Sequence, residues 1–474
     1  MATAQLPDKR LNERLTRLLS DLGDRPTASI PAACGGHTEM TAAYRFFANS
    51  KVTAAQILEP HYAATRQRLA AQPVVLLVQD TTETDVTRPH QQVEGAGPLE
   101  GGTRRGVFAH PLTAFTPDGT PLGTVALPFW VRAESAPDRA PPSRNRPIAE
   151  KESFRWVQGL RTARAVAQEL PQTQVICLAD SDADVYEVFA EPRGERPVDW
   201  LIRACRDRGV EGEDAVAGQK LHESVRAQPV LFTQQITVRR RDPKLPCEKR
   251  PRRVGRVTRP ATVEVRAASV TLHPPRRPGG RALPPVAVNV VLVSEPHPPA
   301  EQPAVEWLLV TTLPIQTLEQ VRQVIQYYCV RWMIEILFRT WKSGCRIEER
   351  RFECLDRLLP CLALYWIVAW RVLLVCRLGR SCPDVDCEVL FDPAEWQSVW
   401  RVTQLEPVPR RPPKLGVMVR LIAQLGGYVN RPNRVDPPGP QTLWLGLQRM
   451  RDLAWAWDTF GPGANADPND PEDV

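Results

Sequence analysis

Two short apolar runs, VVLLVQD and QVICLAD, constrain this chain more than any other feature. Each is apolar without alternation and rich in Val, Leu and Ile, the pattern of a strand covered on both faces. Each stops at an aspartate, Asp80 in the first and Asp180 in the second. The expected architecture is therefore α/β. If the two strands are neighbours in one sheet, their ends lie about 5 Å apart, and the two carboxylates converge. Taken singly, either aspartate is also an ordinary strand-end turn residue. Further strands are expected over Val107–Thr113, Gly123–Arg132 and Trp200–Ala204, and a helix from about Lys151 to Leu170.

A second stretch, YYCVRWMIEILFRTWK (Tyr327–Lys342), reads as helix: it lacks Gly and Pro, and apolar residues recur at three and four spacing. On an ideal helix Tyr328, Arg331, Glu335 and Lys342 fall within an arc of about 60°. A phenol, a guanidinium, a carboxylate and an ammonium thus share one face. Alone, that spacing also describes a solvated charged stripe with an ordinary Arg–Glu pair. Set beside two strand-end aspartates, Glu335 on a helix packed against the sheet is expected to complete a set of three carboxylates. Such hard oxygen ligands suit Mg²⁺ or Mn²⁺ rather than zinc. Two ions about 4 Å apart can clamp the attacking and leaving oxygens of a phosphodiester displacement.

A chain of 474 residues has room for two to four domains, at about 100–200 residues each. The net charge of +7 is unevenly spread: Arg239–Arg281 is dense in Arg and Lys and holds only Asp242, Glu248 and Glu264 as acids. A locally basic segment points to a polyanion, most often nucleic acid. The start MATAQLPDKRLNERL is polar and no signal sequence is read in it, so the scattered cysteines are expected to be reduced cytosolic thiols. Cys382 and Cys387 have no His or second Cys pair nearby to make a zinc site. The most apolar run, Leu358–Trp370, precedes Arg371 and falls short of the ~20 residues a span requires; it reads as a buried helix, with no membrane role.

Organisation follows from punctuation. Residues 1–55 read as a helical unit, with Leu11, Leu15, Leu18 and Leu19 on one face and Arg10, Arg14 and Arg17 around it. Its surface arginines suit DNA binding, and a helical cap on the main domain is the alternative. Residues 56–378 carry the strands and the central helix, interrupted at about 206–305 by a Pro- and Arg-rich, β-rich insertion with strands near Gln235–Arg239, Thr262–Thr271 and Val286–Val293. Residues 379–460 are Pro-rich and then helical, over Leu415–Leu425 and Trp444–Trp457. The acidic, Pro/Gly/Asn-rich tail, 461–474, is expected to be disordered.

QDTT around Asp80, CLADSDAD around Asp180 and the Y-x2-R-x3-E-x6-K spacing from Tyr328 to Lys342 resemble the DDE transposases of the IS four family, of the transposon-five type. ACGGHTEMTAAYRF (Ala33–Phe46), EWLLVTTLP (Glu306–Pro314) and LIAQLGGYVN (Leu421–Asn430) extend the resemblance to nearly the whole chain. It implies an RNase H-like core of mixed sheet and helices with a β-rich insertion, an N-terminal helical DNA-binding domain and a C-terminal helical dimerisation domain. It also implies that Asp80, Asp180 and Glu335 hold two Mg²⁺ or Mn²⁺ ions. Tyr328, Arg331 and Lys342 would meet DNA phosphates, Trp307 would stack on an extruded base, and Arg203 and Arg351 would reach DNA.

The implied activity is cut-and-paste transposition: binding of terminal inverted repeats, end cleavage through a hairpin, and strand transfer to target DNA. The implied assembly is a homodimer in a paired-end complex, cytoplasmic and nucleoid-associated. Two other readings of the same residues are an RNase H-like nuclease that cuts without joining, and a catalytically silent, repurposed DNA-binding protein.

Overall fold

The computed structural model describes residues 4–100, 103–134, 146–211, 219–238, 240, 255–275, 282–429 and 437–462. The acidic tail from residue 463 and most of the Arg-rich run, 241–254, lie outside the described residues.

The two apolar runs are strands, β1 (Val74–Gln79) and, after two hairpin strands, β4 (Gln174–Ala179). They pair in parallel with Val78 opposite Leu178. On one side β1 pairs antiparallel with β2 (Leu112–Phe115), which pairs with β3 (Pro121–Ala126). On the other side β4 pairs in parallel with β5 (Asp199–Ala204). The order β3-β2-β1-β4-β5 is then extended by antiparallel strands from beyond residue 206. β10 (Glu306–Thr311) pairs β5, β9 (Val286–Ser294) pairs β10, and β8 (Arg259–Leu272) pairs β9. The short strands β6 (Val210–Glu211) and β7 (Phe232–Val238) both pair β8. The strands of the insertion therefore continue the central sheet.

Sheet parity decides what each face holds, because successive side chains point to opposite sides. Leu76, Val78, Ile176, Leu178 and Leu201 face one core. That core contains the N-terminal helices α1 (Lys9–Asp24), α3 (His37–Phe47) and α4 (Ala54–Ala70), which flank the short α2 (Ile30–Cys34). Val75, Leu77, Val175, Cys177, Trp200 and Ile202 face the opposite core, against α5 (Phe154–Glu169). The first core is closed by α6 (Leu318–Val330), α7 (Met333–Arg339) and the long α8 (Leu355–Ser381). By length and composition α8 could cross a membrane, but most of it is buried within the protein. Its Trp366 donates to Thr124 Oγ1 (2.9 Å) and meets Trp341 edge-on.

Two expected strands are each split. Val107–Thr113 becomes Arg105–Ala109, in a small second sheet, and β2 in the main sheet. Gly123–Arg132 becomes β3 and Phe129–Trp130, again in different sheets. The breaks fall at Pro111 and Pro128, where the missing N–H interrupts the ladder. The small sheet also takes Thr82–Asp85 and Gly97–Pro98.

The continuous helix expected over 327–342 is interrupted as well. After α6 the backbone tightens: Arg331 N bonds to Tyr328 O, Trp332 N to Cys329 O and Glu335 N to Trp332 O. α7 then passes into a π-helical turn, Thr340–Gly344. Over- and under-winding in one helix is a feature concentrated at functional sites.

A third core is built by α9 (Pro393–Gln404), α10 (Leu415–Leu425) and α11 (Pro440–Phe460) with the end of α8. α9 was not anticipated in a Pro-rich stretch. Its signal was present in Asp392-Pro393-Ala394-Glu395, a capping box with Pro at the first helical position. At the α10–α11 crossing a Cβ on Gly446 would lie 1.9 Å from Ile422 O, and one on Gly426 would lie 1.8 Å from Thr442 O. Gly446→Ala therefore forces the helices apart. The expected cost is about 1–3 kcal/mol, read as a lower urea midpoint and faster proteolysis of the C-terminal helices.

Candidate active site

Asp80 and Asp180 each follow the last residue of adjacent parallel strands and continue the parity of Leu76, Val78, Ile176 and Leu178. Both therefore leave the sheet on the face covered by α6 and α7. Arg203 on β5 and Trp307 on β10 have the same parity, being two residues from Leu201 and Leu309 of that core. Alternation thus gathers an aspartate pair, an arginine and a tryptophan on one sheet face.

The backbone shapes each carboxylate. Asp80 Oδ1 accepts the Thr81 N–H at 2.7 Å, and Asp180 Oδ1 accepts the Asp182 N–H at 2.9 Å, capping the turn Ser181–Ala183. Behind Asp80 runs a network that sequence reasoning missed. Thr81 Oγ1 lies 2.7 Å from His110 Nδ1, and His110 Nε2 lies 3.1 Å from Gln79 Oε1. Gln79 Nε2 lies 3.4 Å from Trp156 O. As the amide oxygen can only accept, Nε2 carries the proton and bare Nδ1 accepts from Thr81. Burial drives the His110 pKa down to about 3, so the ring stays neutral and holds this tautomer. Gly159 lets α5 approach, since a Cβ there would meet Gln79 Oε1 at 2.0 Å. A lone His before Pro111 gives no sequence signal of this role.

Arg331 is buried at the interrupted helix and joins two of the acids. Its guanidinium lies 3.4 Å from Asp80 Oδ2 and 2.8 Å from Glu335 Oε1. Burial raises the Asp80 pKa, repulsion from Asp180 adds to it, and Arg331 opposes. Burial likewise raises Asp180, with Asp182 and Glu335 adding and Arg331 opposing. One guanidinium therefore answers three carboxylates. Tyr328 lies beneath it, the guanidinium 5.8 Å from the ring centre, and Trp307 lies 6.0 Å from Tyr328, tilted and half-buried. Arg203 donates to Glu306 O at 3.3 Å.

The structure brings Asp80, Asp180, Glu335, Arg331, Tyr328, Trp307 and Arg203 together. Lys342 sits within the π-helical turn beside the small sheet, its Nζ 3.8 Å from Glu348 Oε1. Arg351 is exposed beyond the turn Ile347–Glu349. Among the described residues no three Asp, Glu, His or Cys side chains form a closed metal-ligand cluster. The donor set is nonetheless all hard oxygen, crowded and under-neutralised, which fits a divalent cation.

The sheet order, the aspartate pair and the facing helix with its acid are the arrangement expected of an RNase H-like DDE domain. Three family models match the chain in order: transposase DNA-binding over 1–52, transposase DDE domain over 155–359 and transposase Tn5 dimerisation domain over 367–455. The chain is a Tn5-like DDE transposase, as the Tyr328–Lys342 signature indicated. The DDE match contains Asp180 and Glu335, and Asp80 lies upstream of it. DNA is accordingly a partner, self-association is a domain function, and the class depends on divalent metal.

For an acid whose folded pKa lies above its unfolded value, native stability is lost as pH rises from the unfolded pKa toward the folded one. In chelator, Asp80→Asn should raise Tm, by roughly 1 kcal/mol or more of stability. The gain should grow as pH climbs from 3.8 and vanish in acid; a pH series of melting curves reads it directly.

Proposed function

We propose that the protein is a cut-and-paste transposase. It binds the terminal inverted repeats of its element, cleaves the ends through a hairpin and transfers them to target DNA. The observation that supports this best is the convergence of Asp80, Asp180 and Glu335 around one buried guanidinium. A purely DNA-binding protein gains nothing from burying carboxylates it cannot neutralise, whereas a cation-dependent site requires them.

Asp80, Asp180 and Glu335 would hold two Mg²⁺ or Mn²⁺ ions, which supply activation of the attacking oxygen and stabilisation of the leaving oxygen. The remaining work belongs to the chain. The Thr81–His110–Gln79 network orients the Asp80 carboxylate. Arg331 offers a fork of donors to a phosphate and Lys342 a point charge. Tyr328 supports the Arg331 plane. Trp307, at the edge of the same face, offers a flat partner for a base turned out of the duplex as the free 3′-OH attacks the opposite strand. Arg203 and Arg351 extend the basic surface.

In the same reading, residues 1–55 recognise the end. Residues 56–378, with the insertion at about 206–305, perform the chemistry. Residues 379–460 pair two copies so that each cuts in the paired-end complex, in the cytoplasm at the nucleoid.

Glu335→Gln should reduce nicking of inverted-repeat DNA by at least about a hundredfold, ~3 kcal/mol, while end binding by gel shift stays close to wild type. Nicking at the normal rate by this variant would remove Glu335 from the chemistry. Trp307→Ala should let the first nick accumulate while hairpins fail, through loss of about 1–3 kcal/mol of stacking. A normal hairpin yield on a denaturing gel would return Trp307 to the core.

A further inference from the structure

Lys342 is largely withdrawn from solvent, its side chain 25% exposed. It lies among charges from three elements. Glu83 and Asp85 come from the strand Thr82–Asp85, Arg104 from the start of the neighbouring strand, and Glu348 from the turn Ile347–Glu349. Arg104 already engages Glu83 at 2.6 Å and Asp85 at 3.4 Å. Asp85 is further occupied by the Thr87 N–H and hydroxyl. Glu348 is thus the acid left to Lys342.

Glu348 is itself held on several sides. Its Oε1 accepts the Asp85 N–H at 3.0 Å, tying the turn to the small sheet. Arg88 donates to Glu348 O at 3.2 Å and to Arg350 O at 2.8 Å. Arg350 in turn is buried and donates to Ala28 O and Pro26 O of the α1–α2 connection. The turn is therefore pinned between the small sheet beside Asp80 and the N-terminal helices.

We propose that Glu348 is a positioning residue for DNA-end engagement: anchored on the Asp85 N–H, its carboxylate holds the Lys342 ammonium in place beside the small sheet. The proposal rests on the reading of Lys342 as a phosphate contact. Burial lowers the Lys342 pKa, and Glu348 is the foremost group opposing that fall, followed by Glu83. Without the Glu348 charge the ammonium deprotonates at lower pH, so end affinity fails earlier on the alkaline side.

The test uses the full-length protein in chelator and a fluorescent duplex carrying the inverted repeat that flanks the gene, with anisotropy recorded from neutral to alkaline pH. Glu348→Gln keeps the acceptor for the Asp85 N–H, so the turn remains anchored and only the charge is lost. Its affinity should fall several-fold further than wild type as pH rises. Lys342→Gln should bind weakly throughout, with a salt slope smaller by about one phosphate contact. The double variant should match Lys342→Gln. If Glu348→Gln superimposes on wild type while Lys342→Gln is weakened, Glu348 does not position the lysine. If Lys342→Gln itself binds as wild type, the phosphate contact is wrong and the proposal falls with it.

Discussion

One guanidinium organises the face that carries Asp80, Asp180 and Glu335. Arg331 is buried where α6 gives way to α7, and it reaches both Asp80 and Glu335. Two carboxylates at adjacent strand ends and a third on the facing helix would otherwise repel one another in a poorly solvated place. The tightened backbone around Arg331 and Trp332 sets the direction from which it enters. The rest of the site is arranged about that contact: Tyr328 beneath it, Trp307 against Tyr328, and Arg203 on the neighbouring strand.

The scaffold supports this through two dissimilar faces. Behind the sheet, α5 packs closely enough on β1 to require glycine at 159, which seats Gln79 and, through it, His110 and Thr81. In front, the N-terminal helices share one core with α6, α7 and α8. The DNA-binding segment and the helix carrying Glu335 therefore share one core, and Arg350 strengthens the link through carbonyls of the α1–α2 connection. Ion pairs between Arg451 and Asp24 and between Arg25 and Asp452 bring the last helix to the same connection.

Much of the site was legible in sequence because its constraints are local. An apolar run ending in Asp reads as a buried strand with an acid at its tip, and Tyr328, Arg331 and Glu335 lie close enough in sequence for spacing to place them together. Lys342 was read from the same spacing, but its ion pair with Glu348, made at a π-helical turn, follows from no local pattern. His110 was missed because its role depends on Gln79 and Thr81, residues some thirty positions away.

By itself the sequence determined the α/β class, the two strands with their terminal acids, the face shared by Tyr328, Arg331 and Glu335, and the helical termini, because periodicity and turn chemistry act over a few residues. Tertiary structure alone decided which acids meet, that Pro111 and Pro128 hand one hairpin from the main sheet to the small one, and that the insertion strands extend the central sheet. It alone gave Lys342 its partner in Glu348. Those outcomes depend on strand register and on burial among residues far apart in the chain, where desolvation and charge balance are set by neighbours that no local pattern names.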